Sequence, residues 1–159
     1  MKEFRDSAGR TWPVQLTVGS AKRVRDLLGV DLLAPEQGEP PLLTRLGTDE
    51  MLICDVLYCL VKPQADAKGV SDEQFGESLG GEAIARGMEA LYAELVDFFR
   101  QRGRTDRAAA VEKQLRMVQV ATERITTQIG ELDIEARIDQ ALGKVSIGLP
   151  VSPVSILTD

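Results

Sequence analysis

Apolar and polar positions follow three different rhythms along this chain. At the start, KEFR and TWPVQLT flank DSAGR, whose Asp, Ser and Gly suit a tight reversal, so the segment predicts a β-hairpin. Pro13 has no amide to donate, which places the second strand at a sheet edge or at a bulge. The next stretch, GSAKRVRDLLG, predicts a helix capped by Ser20 and ended by Gly29. Val24, Leu27 and Leu28 share its apolar side, and Lys22, Arg23 and Arg25 its basic side.

Residues 34–41, APEQGEPP, have the composition of a surface loop. Thr48 or the acids after it then open a helix expected from about Asp49 to Lys62, apolar nearly all round except at Asp55 and therefore central to the core. Asp55 is read as a salt-bridged or rim-exposed structural carboxylate. Pro63 is expected to stop this helix, and Ser71 with Gln74 forms a capping box for the next, so VKPQADAKGVSDEQF reads as helix stop, connector and helix start. From Glu82 to Gln101, Ile84, Met88, Leu91, Leu95 and Phe98 recur at steps of four and three, the mark of an amphipathic helix. Its aromatics are assigned to packing.

RQRGRT breaks that helix, and Thr105 is expected to cap a long one reaching about Leu142. Val111, Leu115, Val118, Thr122, Ile125, Ile129, Leu132 and Ala136 keep heptad spacing along it. Positions 114, 119, 121, 126 and 128 beside this seam are Gln, Gln, Ala, Thr and Gln, so no flanking charge code specifies a dimeric zipper. β-branched residues and Gly130 lower its propensity, so it needs packing against its own domain or another subunit. Met117, Val120, Ile134 and Ile138 lie off the seam and add apolar surface. In KVSIGLPVSPVSILTD, the alternation of Val145, Ile147 and Leu149 predicts a strand that docks on the same domain or on another copy.

These elements predict a mainly α protein (α-rich α+β), with an N-terminal β-hairpin, a helical bundle and one long C-terminal helix. The expected divisions are 1–103 for hairpin and bundle, 104–142 for the long helix, and 143–159 for an apolar tail rich in Pro and Val. Composition agrees: 159 residues with 43% apolar and only 4% aromatic content fill a core with aliphatic side chains, as helix packing does.

Charge and chemistry then narrow the function. Residues 1–30 are net +3, residues 31–100 net −9 and the rest neutral, an acidic middle that argues against nucleic acid as a partner. Cys54 and Cys59, five apart with no histidine anywhere in the chain, suit reduced core thiols and supply no metal site. The N-terminus has no signal-peptide core and the longest apolar run is too short to cross a membrane, which points to the cytoplasm. The lack of histidine removes the commonest general base, and no phosphate-binding or dinucleotide-binding glycine motif is present. Acid pairs at Asp49/Glu50 and Asp72/Glu73 sit at expected helix starts, where the helix dipole favours them. The expectation is a non-enzymatic protein without cofactor or metal.

Taken together, GRTWPVQLTVGSAKRVRDLLGVDLL, the apolar helix ending CLVKPQADAKGVSDEQFGESLGG, and EALYAELVDFFRQRGR resemble small phage and prophage proteins of the tail assembly chaperone type, over about residues 1–105. The most telling part is the order: apolar helix, Pro-Gln-Ala, Gly-Val-Ser, an acid pair, Phe, then an amphipathic helix ending Asp-Phe-Phe. The resemblance implies a protein that keeps the helical tape-measure protein soluble in the host cytoplasm while tail subunits assemble, without nucleotide or metal and with no catalytic residues. The long helix after Thr105 lies outside it.

The expected partners are therefore proteins, the tape-measure protein or tail subunits, with self-association also expected. Candidate partner-binding residues are Val111, Leu115, Val118, Ile125, Ile129 and Leu132 on the seam, and Asp66, Lys68 and Phe75 at the joint as a hinge or partner rim. The alternative is a structural virion protein whose copies interlock through the long helix and tail. A more remote alternative is a hydrolase using only carboxylates.

Overall fold

The hairpin forms as its sequence predicts. Strands β1 (Lys2–Arg5) and β2 (Thr11–Val14) pair antiparallel with Lys2 opposite Val14, Phe4 opposite Trp12 and Glu3 opposite Pro13. The amide of Asp6 donates to the Arg10 carbonyl at 2.9 Å, so alternate pairs are hydrogen-bonded and the Pro13 position is one whose amide would point away from β1. Proline therefore costs the ladder nothing. Phe4, Trp12 and Val14 share the inner face and are buried.

The structure is a computed structural model and describes residues 2–120 and residue 123. After the hairpin come α1 (Val18–Leu28), α2 (Leu42–Thr48), α3 (Glu50–Lys68), α4 (Asp72–Glu77) and α5 (Ala83–Gln101). A sixth helix, α6, covers residues 105–120. This is an α-rich α+β fold. Met1–Val118 make one compact unit, so the start of α6 shares a body with the bundle that was expected to end at residue 103. The expected continuation of the helix to Leu142 and the strand at Val145, Ile147 and Leu149 lie outside the described residues.

Several helix ends correct the sequence reading. Thr17, not Ser20, caps α1: its hydroxyl accepts from the Ser20 amide at 3.0 Å, while the Ser20 hydroxyl accepts from the Thr17 amide at 2.9 Å. This is a capping box in which Ser20 stands at the third helical position. Gly29 ends α1 at φ 71 as expected. Val24 is buried and Leu28 packs on the core, but Leu27 is 56% exposed, rotated off the apolar side. At the last helix, the Ala108 amide bonds to the Arg104 carbonyl at 3.0 Å, so the cap position is Arg104 and Thr105 is already helical.

The largest correction concerns Pro63, which does not stop α3. The helix runs through it to Lys68 and ends at Gly69, whose φ of 68 suits glycine. A proline inside a helix withholds one amide, here the one that would serve the Cys59 carbonyl four residues back. Arg23 of α1 supplies the missing donor, with Nη1 2.8 Å from the Cys59 oxygen and 3.4 Å from that of Leu60. Tertiary structure thus satisfies what the local sequence leaves open. Ser71 and Gln74 then start α4 with the predicted box, the amides lying 3.2 and 2.9 Å from their side-chain acceptors.

α5 supplies much of the core. It lies against β1 and α3 and buries Leu91, Tyr92, Leu95, Val96, Phe98 and Phe99. At Gly87 a Cβ would stand 2.6 Å from Leu57 Cδ1 and 3.4 Å from the Phe4 ring, so the missing side chain permits the close approach of α5 to both neighbours. Trp12 meets Phe75 edge-on at 5.4 Å, and Phe75 meets Tyr58 at 5.5 Å, joining hairpin, α4 and α3 through one aromatic row.

Candidate functional site

The seam residues divide between core and surface. Val111 is fully buried with Ala108, and Leu115 and Val118 pack partly buried against the same core. A Cβ on Gly47 of α2 would stand 3.0 Å from Gln114 Nε2, 3.3 Å from the Tyr92 hydroxyl and 3.5 Å from Val118, so α6 lies tight over α2 and α5. Arg107 holds its first turn: it donates to the Leu33 carbonyl and pairs with Glu36 at 2.6 Å. Thr122, Ile125, Ile129, Leu132 and Ala136 lie outside the described residues. Of the off-seam residues, Met117 is 57% exposed and Val120 is also exposed.

The three joint candidates play different parts. Phe75 is fully buried in the aromatic row and presents no surface. Lys68 is exposed, lies 4.8 Å from the centre of the Trp12 ring and donates to the Thr11 carbonyl at 3.4 Å, which ties the end of α3 to the hairpin. Asp66 is exposed and pairs with Lys62 at 3.2 Å, one turn back.

Sequence reasoning treated DSAGR only as a turn and missed a dense polar cluster built on Asp6. Asp6, whose side chain is fully buried, accepts from the Ala8 and Arg10 amides at 3.0 and 2.9 Å, from Arg10 Nε at 2.9 Å and from Trp12 Nε1 at 2.8 Å. Burial alone would raise its pKa, but the hydrogen bonds from Trp12 and Arg10 overcome that and bring it down to about 2. Arg10 also reaches Ser78 at 3.0 Å, and Ser7 bonds to the Ser78 carbonyl. Every oxygen of the cluster serves the hairpin and its attachment to the end of α4. The available signal was an acid followed at short spacing by Arg and Trp.

A second polar feature is a groove of about 390 Å³ between the start of α3 and α4. Glu50, Asp55, Asp72 and Glu73 rim it, and Met51, Leu79 and Ile84 supply apolar walls. Asp55 is exposed, as the rim reading expects, and its pKa is raised by burial and then by Asp72 and Asp49. A raised carboxyl beside one without an ion pair among the described residues is the minimum for acid-base chemistry. The lining residues, however, offer no cationic side chain and no amide or hydroxyl side chain with which to orient a sugar or a phosphate.

The half-buried Cys54 thiol borders the same groove, its pKa pushed up to about 11 by burial and then by Asp55 and Asp72, and the buried Cys59 is shifted the same way. Both cysteines are free thiols held in the unreactive protonated form. Among the described residues no group of three potential metal ligands comes together, and no helix is long and apolar enough to cross a membrane. No family model matches the chain, and neither a curated protein nor a solved structure matches it.

Proposed function

We propose that the chain is a phage tail assembly protein, a non-enzymatic chaperone that binds the tape-measure protein in the host cytoplasm during tail morphogenesis. The reading rests on the sequence resemblance over about residues 1–105. One observation on α6 supports it: the inner side is anchored in the core at Ala108 and Val111, while Met117 projects 57% exposed from the same helix. A flexible, polarizable methionine on a rigid mount suits an apolar helical client whose sequence varies along its length.

Co-expression with a helical tape-measure segment tests the reading. The segment is expected to move into the soluble fraction with the wild-type chain and to return to the pellet with Met117→Asp, whose exposed site leaves the fold intact. A tape-measure segment whose solubility ignores the wild-type chain would end the chaperone assignment. The second reading, a structural tail protein, is favoured instead if mass spectrometry finds the chain in purified particles at a fixed stoichiometry to tail subunits.

A further inference from the structure

The side of α6 turned away from the core carries an unbalanced positive charge. Ala108 and Val111 are buried, whereas Ala109, Lys113 and Arg116, at steps of four and three, form an exposed stripe. The acids nearest this stripe are already engaged: Asp106 pairs with Arg104 at 2.9 Å, and Glu112 pairs with Arg100. Lys113 and Arg116 have no ion pair among the described residues. They stand one turn apart, roughly 4.5 Å along the helix axis.

The opposite imbalance lies in the groove between α3 and α4. None of its rim carboxylates, Glu50, Asp55, Asp72 and Glu73, has an ion pair among the described residues, and no lysine or arginine lines it. Met51, 80% exposed, leaves an apolar side chain standing among these acids. Groove and stripe both belong to the compact unit Met1–Val118, and no ion pair joins them within it. The two surpluses that one copy keeps apart can meet between copies.

We propose that a second copy of the chain occupies the acidic groove with the Ala109, Lys113 and Arg116 stripe of its α6. Lys113 and Arg116 reach the carboxylates of α3 and α4, while Ala109 and the methylene stems of the two cations cover Met51. Groove and stripe are different surfaces, so copies that exchange both contacts close as a dimer and copies that share only one associate head to tail. The heptad seam takes no part, since Val111, Leu115 and Val118 pack into the core of their own chain. Met117, about 100° further round the helix than Arg116, stays outside the contact. The pairing is independent of the tape-measure reading and is read on the isolated chain, so either can fail without the other.

Sedimentation of the full-length protein tests it, using Asp55→Lys/Glu73→Lys as one variant and Lys113→Glu/Arg116→Glu as the other. The wild type is expected to sediment above the 17.4 kDa chain mass and to dissociate as salt rises. Each variant alone presents like charges at the contact and is expected to associate at least about tenfold more weakly. An equimolar mixture, in which groove and stripe are again complementary between the two variants, is expected to regain the wild-type mass. A wild type that stays monomeric at every concentration overturns the proposal. So does association that ignores salt, variants that associate like the wild type, or a mixture that fails to recover. If a reversal variant loses its helical circular dichroism, Asp55→Ala/Glu73→Ala and Lys113→Ala/Arg116→Ala take its place. Each is expected to weaken association about tenfold, and wild-type association in both overturns the proposal.

Discussion

The Arg23 guanidinium donates to the main-chain carbonyl of Cys59 at 2.8 Å, across the α1/α3 interface. That carbonyl is the one Pro63 leaves without its helical amide. A charged donor on an otherwise unserved helix carbonyl contributes more than an ordinary surface hydrogen bond.

Arg23→Ala is therefore expected to lower unfolding stability by about 1.5 to 3 kcal/mol in urea denaturation. Pro63→Ala should recover most of that loss in the Arg23→Ala background, because alanine at 63 restores the amide to Cys59. A double-mutant cycle gives the coupling, expected at about 1 kcal/mol or more. Strictly additive effects of the two substitutions would show that Arg23 acts elsewhere.

Asp6 makes the fold acid-sensitive in a defined window. Its pKa in the folded chain, about 2, lies below the ordinary 3.8, so the unfolded chain binds more protons between these values. The stabilisation is fully present above about pH 5 and is lost as pH falls towards 2, about 2 kcal/mol in all. Thermal unfolding followed from pH 7 to pH 2 is expected to show this acid limb in the wild type. In Asp6→Asn the limb should shrink by that amount, with a lower stability at neutral pH from the weakened bonds to Arg10 and Trp12. An unchanged limb in Asp6→Asn would assign the acid sensitivity to other carboxylates.

α6 is expected to behave as core on one side and as free surface on the other. Val111→Ala removes two fully buried carbons from the core and should cost about 2 kcal/mol of stability. Met117→Ala, at an exposed site, should change it by less than about 0.5 kcal/mol. Equal losses at the two positions, measured by chemical denaturation, would mean that Met117 is covered in solution.

Features with local causes were legible in the sequence, and features with distant causes were not. The Ser71/Gln74 box and the Gly29 cap need only residues a few positions apart, and both stand where their spacing places them. Thr17 and Ser20 form the same kind of box, but each residue type can fill either role, so the start of α1 was misplaced by one turn. Pro63 was misread because its compensating donor comes from Arg23, thirty-six positions upstream of the Cys59 carbonyl it serves. The acidic groove was equally hidden. Asp49/Glu50 and Asp72/Glu73 are ordinary helix-start acids by local rules, and only the packing of α4 on α3 brings Glu50 and Asp55 to one depression with Asp72 and Glu73.

The uninterrupted course of α3 changes what residues 61–68 do mechanically. A helix broken at Pro63 would have let the hairpin and the start of α3 move separately. Instead one rod carries the Asp49 cap at one end and Lys68, seated on Trp12 and Thr11, at the other. The change of chain direction falls at Gly69 and Val70, before Ser71 restarts the chain as α4. A load applied at Met51 is thus delivered along the whole helix to the hairpin, to which α4 is itself fastened through Phe75 and Ser78.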